Sequence, residues 1–142
     1  MALYQYYPND VIIVFGPLVL TGLAKDMVTV RPNADAFTYQ VGAYGDGVRS
    51  RSNDNSATVT VTLMQGSSSN DELSALHIAD RYKPRGNGSL PLMIKDNSGT
   101  SMHQAAEAWI TNFPEDAYST EAGTRPWVFL AHAMQHHVGS NR

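Results

Sequence analysis

The chain has 142 residues, a length that suits one domain with a real core and leaves little room for a second. It is 42% hydrophobic but only 16% charged, with a net charge of −3, so it lacks the basic stripe that a tight nucleic-acid binder uses to displace counterions. Cys is absent, which excludes disulfides and thiolate metal sites.

Residues 1–9 hold Tyr4, Tyr6, Tyr7 and Pro8 and read as an N-terminal arm, either docked on a neighbour through its tyrosines or frayed. Val11 to Ala24 is the most apolar run, broken by Gly16 and Pro17. It is too short for a bilayer, and no Lys or Arg precedes Lys25 as a signal peptide would need, so a protein soluble when made is expected. Val11–Phe15 and Leu18–Leu20 flank Gly16-Pro17 as strands around a tight turn. Met27–Arg31 is a further β-branched run, and Phe37, Tyr39 and Val41 alternate with Thr38 and Gln40 to give one apolar face.

Gly42–Ser56 is rich in Gly, Ser, Asn and Asp and carries Asp46, Arg49, Arg51 and Asp54. It is expected to be a long loop, which in a small domain is functional or disordered. Ala57–Met64 is the clearest strand, with Ala57, Val59, Val61 and Leu63 on one face and Thr58, Thr60 and Thr62 on the other.

Ser69 followed by Glu72 fits a capping box, and Leu73, Leu76 and Ala79 follow at helical spacing. Pro84, Gly86 and Gly88 are expected to stop that helix. Leu90–Lys95 returns to a strand and ends in the turn Asp96-Asn97-Ser98-Gly99. Ser101–Ile110 fits a helix by its Ala-rich centre and a strand by the shared face of Met102, Ala106, Ala108 and Ile110. An acidic loop with Glu115, Asp116 and Glu121 precedes a last strand, Trp127–Met134. Six or more strands and one helix imply an antiparallel β-sandwich or barrel with a helix against one opening.

Catalytic patterns are weak. His132 and His136 share a face in either geometry, but Ala133 stands where a zinc protease would carry its Glu, and no third ligand is nearby. The glycines Gly42, Gly45 and Gly47 lack the spacing of a dinucleotide fingerprint and the Lys-Ser/Thr of a P-loop. Ser67, Ser68 and Ser69 do not form a nucleophile elbow. No enzyme and no cofactor is expected. Ala57–Met64 and Trp127–Met134 contain no edge-blunting Lys; they are either central strands or strands that pair with another subunit.

The stretch DMVTVRPNADAFTYQVGAYGDGVRSRSNDNSATVTVTLMQGSSSNDELSAL, Asp26–Leu76, resembles the tail tube proteins of contractile-tailed bacteriophages. LPLMIKDNSGTS (Leu90–Ser101), AEAWI (Ala106–Ile110) and GTRPWVF (Gly123–Phe129) follow the same pattern in order, and RSRSND and TVTVTL are its most specific parts. The resemblance implies two packed antiparallel sheets forming a small barrel with a flanking helix, similar to the type VI secretion tube protein. In that setting Ser101–Ile110 is a strand.

It also implies hexameric rings stacked into a hollow tube in the virion tail, assembled in the host cytoplasm. The partners implied are tail sheath, baseplate and tape measure proteins, with DNA passing through without specific binding and no membrane insertion of the subunit. On that basis Gly42–Ser56 is expected to stack rings, Arg49 and Arg51 meeting Glu115, Asp116 or Glu121 of the adjacent ring. Thr58, Thr60 and Thr62 are expected to face the lumen or the sheath. The alternatives are a ligand-binding β-barrel, a metal-dependent enzyme built on the His cluster, and a tail terminator or sheath-associated ring protein.

Overall fold

The computed structural model describes residues 1–82 and 88–140. After a single 3-10 turn at Pro8–Asp10, the chain forms β1 (Val11–Phe15), β2 (Leu18–Val19), β3 (Leu23–Pro32), β4 (Phe37–Val41) and β5 (Gly47–Arg51). Then follow β6 (Ala57–Met64), α1 (Ser69–Tyr82), β7 (Leu90–Asp96), β8 (Met102–Asn112), β9 (Thr124–His132) and β10 (Gln135–His137). Eight strands join in one antiparallel sheet of order β2-β1-β7-β8-β9-β6-β3, with β10 against β8; β4 and β5 form a separate two-stranded hairpin.

Alternation sets the faces. Ala57, Val59, Val61 and Leu63 are fully buried while Thr58, Thr60 and Thr62 lie half-buried on the other side. β9 repeats the pattern through Trp127, Phe129 and Ala131. Each Val, Leu or Phe side chain of this face taken fully out of water stabilises the fold by roughly 1.5–3 kcal/mol. The sheet curls: the rings of Phe15 on β1 and Phe129 on β9 meet edge to face at 4.9 Å. β7 and β8 lie between those strands, so a flat sheet would hold the two backbones about 14 Å apart. The inner faces therefore close on one core, in keeping with the sandwich or barrel expectation, although the strands belong to one hydrogen-bonded sheet rather than two.

The helix covers an opening of this curl. Leu73 is fully buried and joins the core. The Trp127 indole N–H donates to Asn70 Oδ1 at 2.9 Å, while the Asn70 amide donates to the carbonyls of Met64 and Ser67.

Several local expectations change. Gly42–Ser56 is not one long loop, because Gly47–Arg51 pairs with Phe37–Val41 in register, Arg49 opposite Tyr39 and Arg51 opposite Phe37. Gly45, at φ +92°, closes the turn between them, and Gly42 N–H donates to the Asp46 carbonyl. The Tyr39 ring lies over Gly47, where a Cβ would oblige that exposed ring to swing aside. The capping box is also replaced: Ser69 Oγ accepts from the Thr21 N–H, and the Ser69 N–H donates to Ser67 Oγ. The buried Ser69 hydroxyl thus ties the helix to the β2–β3 connection instead of serving Glu72.

Of the expected helix stop, Pro84 and Gly86 lie outside the described residues. Ser101–Ile110 is a strand, as the resemblance implied. The strand expected at Trp127–Met134 begins at Thr124 and ends at His132, where Ala133 takes φ +47° before the short β10. β6 lies between β3 and β9, and β9 between β6 and β8, so both are central strands. Their freedom from Lys reflects burial between neighbours rather than readiness to pair with another subunit.

Candidate assembly interface

The hairpin β4–β5 departs from one end of the sheet. Its feet are Pro32 and Ala57, which pair with each other, while Ala57 also pairs with Ala131. The foot is pinned by Asn33 N–H to the Ser56 carbonyl and Met134 N–H to the Asn55 carbonyl, both near 3 Å. Asp54 organises the return: its Oδ1 accepts from Ser56 N–H at 3.0 Å and Ser56 Oγ at 2.6 Å. Those hydrogen bonds hold its carboxyl below the usual range.

Phe37, Tyr39 and Val41 share one face of the hairpin with Arg49 and Arg51. Sequence patterning gave Phe37, Tyr39 and Val41 one apolar face, and that face is not buried. Phe37 is 47% exposed, Tyr39 66% and Val41 59%. The Arg49 guanidinium lies 3.7 Å from the Phe37 ring centroid, a cation–π contact that holds the charge flat against the aromatic.

The acidic loop is at the other end. Met64, the last residue of β6, pairs with Thr124, and residues 113–123 connect β8 to β9 there. The eight-residue β6 places about 23 Å between the two ends. Arg49 and Arg51 are thus at one pole, and Glu115, Asp116 and Glu121 at the other. Glu115 and Glu121 are exposed. Asp116 already has a partner in its own chain, since its Oδ1 lies 2.6 Å from Nε of the nearly buried Arg125.

Beside that ion pair a groove of about 420 Å³ runs between the first turn of α1 and the 113–118 segment. Asp71, Ser74, Phe113, Asp116, Tyr118 and Trp127 line it. The sequence gives no sign of the groove, because its walls come from elements some 40 residues apart.

Thr58, Thr60 and Thr62 lie on the outer face of β6, and Thr58 Oγ1 donates to Asn33 Oδ1 at 2.6 Å. The histidines rearrange the sequence picture. His136 pairs with His103, not His132, Nδ1 to Nδ1 at 2.8 Å, one ring donating and the other accepting. Burial, and then His136, lower the pKa of His103. Sequence reading missed this pair because it forms across the β8–β10 ladder. No group of three His, Asp or Glu suited to a metal gathers among the described residues. His77 is buried with its Nδ1 unpartnered, its ring against Phe113, and desolvation lowers its pKa. The gap beside it, between α1 and β8, holds about 20 Å³, room for a single water. No helix among the described residues is long and apolar enough to cross a membrane.

Comparisons with known proteins agree with this architecture. The family model of the bacteriophage PhiTE tail tube protein matches residues 18–139. Structural protein ORF10 of Pseudomonas phage KPP10 is 36% identical over 145 residues, covering 96% of this chain and 84% of the relative. Among solved structures, the sheath/tube terminator of the extracellular contractile injection system PVC, in its extended state, aligns with a TM-score of 0.64 at 12% identity, covering 97% of this chain and 100% of its own. The tube-terminating cap of the anti-feeding prophage aligns at 0.59 and 12% identity, over 96% and 93% of the two chains. A chain of the PVC sheath–tube complex gives the same TM-score and identity over 94% and 93%. These distant likenesses establish the shared fold; the family match and the phage relative establish kinship. The chain belongs to the bacteriophage PhiTE tail tube protein family.

Proposed function

We propose that this protein is the structural subunit of a phage tail tube, forming hexameric rings that stack head to tail into a conduit for DNA within a contractile sheath. The observation that carries the reading is polarity. An exposed apolar hairpin bearing Arg49 and Arg51 leaves one end of the sheet, and the acidic 113–123 segment closes the other. A two-stranded hairpin alone is marginal in water, so this one gains from being covered. Opposite poles with complementary charge suit a heterologous contact, which builds open stacks when repeated along an axis.

The roles of Asp46 and Asp54 in this scheme are conformational: the Asp46 carbonyl closes the hairpin turn and Asp54 shapes its foot. The outer Thr face carries little charge to hold a phosphate backbone, which supports a surface past which DNA slides. Baseplate, sheath and tape measure proteins are the partners this role entails, and the virion tail is its location. Negative-stain microscopy of the purified chain tests it. Rings and tubes are expected, with Arg49→Ala/Arg51→Ala leaving rings but few long tubes. Normal tubes from that variant would remove the stacking role, and monodisperse monomers would remove the tube. A terminator that forms single rings is the second reading, favoured by the 0.64 TM-score to the PVC terminator; single rings that never stack would select it.

A further inference from the structure

We infer that the apolar hairpin face of one copy seats in the groove between α1 and the 113–118 segment of the next, where Asp71 and Asp116 receive an Arg49 or Arg51 guanidinium. This rests on the stacking role proposed above and names its receptor.

The hairpin presents an unusual pairing. Phe37, Tyr39 and Val41 are exposed on the same face as two arginines, one already laid flat on an aromatic ring. A receptor must therefore supply apolar walls and carboxylates together. The groove does so. Phe113 and Tyr118 are exposed along it, Trp127 forms part of its wall, and Asp71 and Asp116 line it together with Arg125, whose charge Asp116 balances. The Asp116 carboxylate keeps 59% exposure while bound to Arg125, which leaves acceptor capacity for a second guanidinium.

Other surface depressions fit worse. The one lined by Val11, Leu23, Ala24 and Lys25 has no carboxylate to balance its cation. The one lined by Met93, Gln104 and Gln135 is uncharged. The one holding Asp35, Asp54 and His136 lies at the hairpin's own foot, at the wrong pole for a head-to-tail contact. Of these depressions among the described residues, the α1 groove is the one at the far end of β6 with both kinds of complement. Of the three acids expected from sequence, Asp116 is retained, and Asp71 takes the place of Glu115 and Glu121.

Engineered thiols test the seat, because the chain has no Cys of its own. Val41→Cys lies on the hairpin face and Ser74→Cys in the groove. Tubes of the double variant, assembled under reductant and then treated with diamide, are expected to give a ladder of covalent multimers on a denaturing gel. Neither single variant should give one. Tubes without a ladder would overturn the seat while leaving the tube reading intact, whereas absence of tubes from the unmodified chain would overturn the tube reading itself. A charge exchange gives an independent check. Asp71→Arg is expected to cut tube yield about tenfold, and adding Arg51→Asp to restore most of it; failure of the exchange to restore assembly also overturns the seat.

Discussion

If the sheet truly curls on itself, Phe15 and Phe129 must be energetically coupled, although two strands separate theirs in the sheet. Phe129 is fully buried and Phe15 nearly so. Replacing either ring by Leu keeps an apolar side chain of similar bulk, so each single change should destabilise by about 1–2 kcal/mol, well short of a full truncation to Ala. An edge-to-face aromatic pair adds about 0.5–1.5 kcal/mol beyond its buried area. Phe15→Leu and Phe129→Leu should therefore be non-additive, the double variant losing about 1 kcal/mol less than the sum of the singles. Urea unfolding of all four proteins measures this, at a concentration where the chain is monomeric. Additivity to within about 0.3 kcal/mol would mean that the rings do not meet and that the curled core is wrong.

Ala133 holds φ +47°, a region costly to a residue with a Cβ. Ala133→Gly is expected to raise stability by about 0.5 kcal/mol after the added backbone entropy of the unfolded chain, read as a higher urea midpoint; a lower midpoint would contradict the strain. Acid should weaken the monomer. His77 and His103 both have folded pKa values below that of a free imidazole, so the unfolded chain takes up protons first. Stability should be flat above about pH 7 and fall as the pH drops through about 6.5 toward the depressed folded values. His77→Leu should make that fall shallower, and an unchanged slope would exclude His77 as a source.

Strong period-two alternation made Ala57–Met64 legible to the residue, because both of its neighbours bury the same face. The helix start was legible too, but its cap was not: the partner of Ser69 is Thr21, far away in sequence. β5 was hidden by composition. Gly, Ser and Asn suggested a loop, yet Val48, Arg49, Ser50 and Arg51 alternate opposite β4, and only pairing reveals that. Exposure of the Phe37–Val41 face was equally unreadable, since local pattern cannot distinguish a side turned to the core from one turned to another molecule. The acidic segment was found, but the groove that Asp71 lines depends on a helix and a distant loop meeting over Trp127.

The foot of the hairpin has a mechanical meaning. Pull on β4–β5 enters the body at Pro32 and Ala57 and draws β3 and β6 together in one direction, so the load falls on the β6–β9 ladder, whose bonds lie across it. Such a ladder resists in shear, sharing force over many bonds at once instead of opening them one by one. The bond from Met134 N–H to the Asn55 carbonyl carries part of that load into the strand line that β9 and β10 lay along β8. A tug on the hairpin is thereby distributed across β3, β6, β9 and β8.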